Sequence, residues 1–245
     1  MAAEKGAPVR TAGGVALKKP STFRQYKTLL RKDLEQEFRT KEMLTSMGIY
    51  ALLVIIVYGA ALAQTSQTTD VLQMSGGLLW ALIVFTSLLG LNRSFAHEKE
   101  QGCLEGILLV PMDRSVVFLA KATSNLLFLL VVEVIAVPLF YFFFLTTTTP
   151  SESFWLLVGT VGVAGIGTLL STITINTRGK DVMLAVLFIP LIFPLLYACV
   201  SATTAAIVGA EGYADVMLTS LALAGGYDVI MILASWVLYD FVISA

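Results

Sequence analysis

Apolar and polar residues follow one another along this chain in long blocks. Six apolar blocks, at 43–63, 71–92, 116–145, 154–175, 182–209 and 217–243, are separated by short polar segments. Each reaches or exceeds the roughly 18 residues that suggest a membrane span. In lipid every backbone N–H and C=O needs a partner inside the segment, so blocks this long and uniform are helices. A transmembrane barrel would instead show alternating segments of about ten residues. The predicted fold class is therefore all-α, a polytopic membrane protein with six transmembrane helices. Two places disturb the pattern. Lys121 interrupts the third block near its start, which suggests a beginning in the membrane interface. Residues 197–220, with SATTAA, GAEGY and two acids, suggest a short re-entrant or interfacial piece.

A different pattern precedes the first block. In residues 21–41, Phe23, Tyr26, Leu30, Leu34 and Phe38 fall within roughly a 120° arc of a helical wheel. Ser21 or Thr22 is placed to cap such a helix. The expectation is an amphipathic helix on the inner membrane surface, its basic residues near anionic headgroups. The alternative is a solvated helix leading into the first span. Residues 1–20, rich in Gly, Ala and Lys, read as a flexible cytoplasmic tail. Because residues 1–41 are polar and the first apolar block is a full span, no cleavable signal peptide is expected.

Composition strengthens the membrane reading: 57% of the 245 residues are hydrophobic and 13% charged, against roughly a quarter charged in a soluble domain. Charge then supplies orientation. Ten of the 16 Lys and Arg precede the first block, four (Arg93, Lys99, Arg114, Lys121) follow the second, and Arg178 and Lys180 follow the fourth. The other three loops hold only acids: Asp70, Glu152, Glu211 and Asp215. The positive-inside rule places both termini in the cytoplasm.

Several chemistries find no support. There is no GxxxxGK[ST] phosphate loop, so ATP must be handled elsewhere. QMSGG at 73–77 is similar to a transport-ATPase signature but falls on the outer side. His97 is the single histidine, and Cys103 and Cys199 have no metal or redox spacing, so no metal site, CxxCH haem attachment or catalytic triad is expected. The chain is not expected to be an enzyme, to bind a cofactor itself, or to bind nucleic acid.

The most informative polar stretch is 92–121, NRSFAHEKEQGCLEGILLVPMDRSVVFLAK. It opens charged, continues with Cys103, Leu104, Ile107, Leu108 and Val110, and stops at Pro111, which predicts a short amphipathic helix ended by proline. Such a helix fits a groove on another protein, or the inner leaflet. QGCLEGILLVP followed by RSVVFLAK resembles the cytoplasmic loop of the CcmB family of haem exporter proteins. The resemblance lies in Gly102, Leu104, Glu105, Leu108, Leu109, Pro111 and Lys121, with Glu100 just before them. A second block, 162–198, agrees through Gly165, Gly167, the loop Asn176-Thr177-Arg178-Gly179-Lys180-Asp181, and Pro190 and Pro194.

The resemblance implies the membrane permease half of an ATP-binding-cassette complex for cytochrome c maturation in the bacterial inner membrane. It implies a CcmA-like ATPase subunit carrying ATP and magnesium, a CcmC-like haem-handling membrane protein, a CcmD-like small anchor, a CcmE-like haem chaperone and two permease copies. Haem would be handled by the complex, and its transport by the permease itself is doubtful for the family. The organisation is then a tail at 1–20, an interfacial helix at 21–41 and a permease domain at 42–245, with the ATPase-coupling loop at 93–115. The alternatives are an exporter permease for a lipid or small hydrophobic solute and a non-transporting scaffold. A proton-driven secondary transporter would need more intramembrane ionisable groups and repeat symmetry.

Inside the spans, Glu133 stands out, because an intramembrane carboxylate is costly and points to function; the alternative is a neutral carboxyl hydrogen-bonded between helices. Asp228 follows Gly225-Gly226, which suggests a break or an interface. Pro138, Pro190 and Pro194 are expected to kink their helices. Gly159, Gly162, Gly165 and Gly167 form a small-residue face suited to close helix packing.

Overall fold

A computed structural model of the chain describes residues 21–62, 68–100, 114–144, 150–174, 179–208 and 214–244. These form α1 (Thr22–Thr40), α2 (Glu42–Leu62), α3 (Thr68–Glu100), α4 (Arg114–Phe144), α5 (Pro150–Thr174), α6 (Lys180–Val208) and α7 (Ala214–Ser244). Every described element is helical, and the six helices after α1 contain segments long and apolar enough to cross a membrane: Glu42–Leu62, Val71–Ser94, Ser115–Phe144, Leu156–Thr174, Val182–Val208 and Asp215–Tyr239. The chain is an all-α, multi-pass membrane protein.

The helix α5 is the axis of the bundle, packed against α3, α4, α6 and α7. Of its span, 78% is buried, against 17% for the span of α7. The sequence of α5 permits this position because its glycines let neighbours approach. A methyl group at Gly159 would strike Trp80 and Cys199, at Gly162 Asp228 and Leu195, and at Gly167 Leu91. Its threonines close the backbone locally: the hydroxyls of Thr168, Thr172 and Thr174 donate to the carbonyls of Ala164, Thr168 and Leu170. Outward-facing large residues such as Phe193, Tyr197, Ile230 and Val237 belong to α6 and α7 and suit a lipid solvent.

Two details depart from the sequence reading. First, residues 197–208 continue α6 and residues 214–220 begin α7, so among the described residues no re-entrant piece interrupts 197–220. The polar SATTAA stretch stays helical because its hydroxyls find partners: Ser201 donates to the Tyr197 carbonyl, and Thr203 accepts from Trp80 Nε1 at 2.9 Å. Second, α7 runs unbroken through Gly225 and Gly226, where a side chain would meet open space. The helix α4 begins at Arg114 and includes Lys121. Likewise α4 continues through Pro138 and α6 through Pro190 and Pro194. Tyr227 of α7 donates its hydroxyl to the carbonyl of Leu191, between the two prolines of α6.

Candidate functional site: a polar elbow and two acids within the bundle

At the end of the bundle that carries the Lys and Arg residues, α1 lies against α4. Its deepest contacts are polar, with Tyr26 and Leu34 of the apolar arc at their edge. Gln25 and Asp33 are buried, and Leu29, on the same face two turns wide, touches a small core of Val117, Phe118, Leu169 and Tyr239. Phe23 and Phe38, on the apolar face about a third of a turn away, are 75% and 59% exposed. The helix therefore holds the bundle with one face and presents the rings of Phe23 and Phe38 to its surroundings with another.

The grip is ionic. Lys121 Nζ lies 2.9 Å from Asp33 Oδ2, and the two side chains are only 7% and 8% exposed. Ser124, one turn further along α4, places its hydroxyl 3.3 Å from the same carboxylate oxygen, and Lys32 Nζ lies 3.6 Å from the other. Tyr26 donates to Thr123 Oγ1 at 3.1 Å. A buried charge needs a partner and further hydrogen bonds, and Asp33 has all of these.

The elbow between α1 and α2 is a single residue, Lys41, in the left-handed region at φ 54°. Its N–H caps α1 on the Glu37 carbonyl at 2.6 Å, and the Glu37 side chain accepts from the Leu44 N–H at 2.9 Å. One residue on, Glu42 pairs with Arg93 near the end of α3 at 2.6 Å, on the surface. Arg93, before the segment between α3 and α4, is thus tied to the start of α2, and Lys121, after it, to the middle of α1.

Inside the bundle, Glu133 of α4 is buried and lies 2.6 Å from Thr160 Oγ1 of α5, which also lies 2.8 Å from the Leu156 carbonyl. The one hydroxyl proton serves one acceptor, and a neutral Glu133 supplies the other bond with its own proton. Glu133 also lines a small cavity between α3 and α4 together with Thr86 and Leu129. Asp228 is buried in α7 beside Gly162 and Leu195, and its Oδ1 finds no hydrogen-bond partner among the described residues. Thr160 and Gly162 are near neighbours on α5, so the two acids flank the same stretch of the central helix without meeting. Asn125 of α4 donates to Thr168 of α5 at 3.0 Å, a second polar tie to that helix.

Gly102, Leu104, Glu105, Leu108, Leu109 and Pro111 lie outside the described residues, as do Asn176 and Arg178. Glu100 closes α3, Gly179 (φ 75°) precedes α6, and Lys180 and Asp181 open it. Among the described residues no group of His, Cys, Asp and Glu is arranged to hold a metal ion. Sequence reasoning singled out Lys121 and passed over Asp33. A signal existed: a cation embedded in an apolar block requires an acid, and α1 carries Asp33, Glu35 and Glu37.

Residues 24–241 match the family model described as CcmB protein. The chain belongs to the CcmB family. The match runs from within α1 into the last turns of α7, so α1 and the six spans all fall inside it. Among curated relatives in the CcmB family, heme exporter protein B of Pseudomonas aeruginosa is 27% identical over 204 residues, covering 81% of this chain and 91% of its own. Heme exporter protein B of Escherichia coli (strain K12) is 29% identical over 182 residues, 73% of this chain and 81% of its own. Heme exporter protein B of Rhodobacter capsulatus is 27% identical over 175 residues, 69% of this chain and 78% of its own.

Proposed function

We propose that this CcmB-family chain is the permease subunit of an ATP-binding-cassette complex for c-type cytochrome maturation. The observation that carries the reading is the family match over 24–241, with relatives named heme exporter protein B. The six spans and the missing phosphate loop fit a subunit that draws on ATP hydrolysed by a separate, CcmA-like partner. In this reading the chain sits in the bacterial inner membrane with both termini cytoplasmic, as the distribution of its 16 Lys and Arg supports. The segment 93–115 is the ATPase-coupling loop, seated by Leu104, Glu105 and Leu108 and ended by Pro111. A second cytoplasmic loop carries Asn176, Arg178, Gly179, Lys180 and Asp181. CcmC-, CcmD- and CcmE-like proteins complete the complex, around two permease copies, and ATP hydrolysis serves haem delivery by releasing the haem-loaded chaperone. Haem is cargo of the complex, and with one histidine in the sequence this chain holds none through its own axial ligands.

Deleting the gene tests this. Mature c-type cytochromes should vanish while b-type cytochromes remain, with haem retained on its chaperone. In the intact complex, Leu104→Asp with Leu108→Asp should release the ATPase subunit while the permease stays inserted. Normal c-type cytochromes in the deletion strain would sink the assignment and favour a general exporter of hydrophobic solutes.

A further inference from the structure

The buried pair Asp33–Lys121 lies outside the coupling loop and is not explained by it, yet it joins the helix α1 to the span that the loop feeds. Its geometry is unusual for a surface helix. Helices that rest on a membrane usually meet the bundle through apolar residues, and α1 spends its one deeply buried acid on α4. Ser124 and Tyr26–Thr123 add polar contacts within a turn of the same place. On the other root of the segment, Arg93–Glu42 ties α3 to the first residue of α2. The two ties differ in one respect that matters mechanically. Asp33 and Lys121 are 8% and 7% exposed, so water cannot readily replace either partner. Arg93 and Glu42 are 50% and 64% exposed, so that pair can open and re-form in solvent at little cost.

We propose that Asp33 and Lys121 are positioning residues that make α1 and the start of α4 one rigid lever, with Arg93–Glu42 as its exchangeable counterpart. A displacement of the start of α4 then moves α1 with it. Because α1 turns into α2 through the single left-handed residue Lys41, the same displacement reaches the first span. The lever rests on the reading of the segment between α3 and α4 as the ATPase-coupling loop, and it assigns the path from the loop to the membrane domain. Neither residue touches nucleotide or cargo.

The test uses the complete complex, purified and in cells. Asp33→Asn and Lys121→Met should each leave the permease inserted and the ATPase subunit bound, with ATP still hydrolysed, while cytochrome c maturation falls about tenfold or more. The exchange Asp33→Lys with Lys121→Asp should recover most of that loss, as should Lys121→Arg. Arg93→Ala should reduce maturation only slightly. Maturation at the level of the unaltered complex in both single variants would overturn the lever. Loss of the inserted protein in the single variants and in the exchange alike would also overturn it, because the pair would then serve folding alone. These outcomes are separable from failure of the underlying reading: if Leu104→Asp with Leu108→Asp leaves the ATPase bound, the coupling loop itself is wrong, whatever the pair does.

Discussion

Asp33 and Glu133 face the same physical problem and answer it differently. Both are carboxyl groups buried at a contact with a neighbouring helix. Asp33 is met by a cation, with a serine hydroxyl and a second lysine beside it. Glu133 is met by a threonine hydroxyl and an apolar cavity wall. The first arrangement holds a charge in place. The second suits a neutral group that gains a hydrogen bond and carries no charge into the lipid span. Burial alone therefore does not tell what an acid does in this bundle; the partner does. Asp228 is a third case, buried beside a glycine with one oxygen lacking a partner among the described residues.

The comparison breaks most visibly at Asp33. Removing one member of a buried pair strands the other, at a cost of about 3–5 kcal/mol, whereas replacing both with apolar residues of similar size is often neutral. Thermal unfolding of the solubilised chain should therefore show Lys121→Met as much less stable, and Asp33→Leu with Lys121→Met as near the unaltered chain. A double variant as unstable as the single one would mean that the pair contributes more than mutual compensation. Glu133 should respond less. Glu133→Gln keeps a hydrogen-bonding group against Thr160 and should cost under about 1 kcal/mol, since interhelical hydrogen bonds in membranes average ~0.6 kcal/mol. Equal stability but lost maturation in Glu133→Gln would show that the carboxyl acts through its proton or charge, and would separate it from a packing role. The smallest effect belongs to Arg93. Its pair with Glu42 is exposed, so Arg93→Ala should cost about 0–1 kcal/mol, and less in high salt. A salt-independent loss larger than that would place Arg93 with Lys121 instead.

Much of this architecture can be read from the sequence, because lipid removes ambiguity: a long apolar block can only be a helix, and the six spans fall within a few residues of where the blocks predict them. The close approach at Gly159, Gly162 and Gly167 follows from the same reasoning about small residues. The elbow was less legible. The apolar stripe from Phe23 to Phe38 correctly suggests an amphipathic helix, yet it gives no sign that Gln25 and Asp33, from the polar side, are its most deeply buried residues, beside Tyr26 of the stripe. Asp33 and Lys121 are separated by most of two spans, and periodicity is blind to such pairing. The Gly225-Gly226 pair misled for the opposite reason: glycines weaken an isolated helix, but within a lipid-facing span the backbone has no alternative partner and α7 stays whole.

One length has a further consequence. The helix α4 has 31 residues, a rise of about 46 Å at 1.5 Å each, while bilayer hydrocarbon is about 30 Å thick. Tilt absorbs part of that difference. At its basic end Val117 and Phe118 pack with Leu169 and Tyr239 in a core separate from the main one. Left open to water, such a patch would be penalised. Leu29 of α1 lies over it instead. The first helix thus serves as a lid of side chain on a second, smaller core that the spans alone leave uncovered.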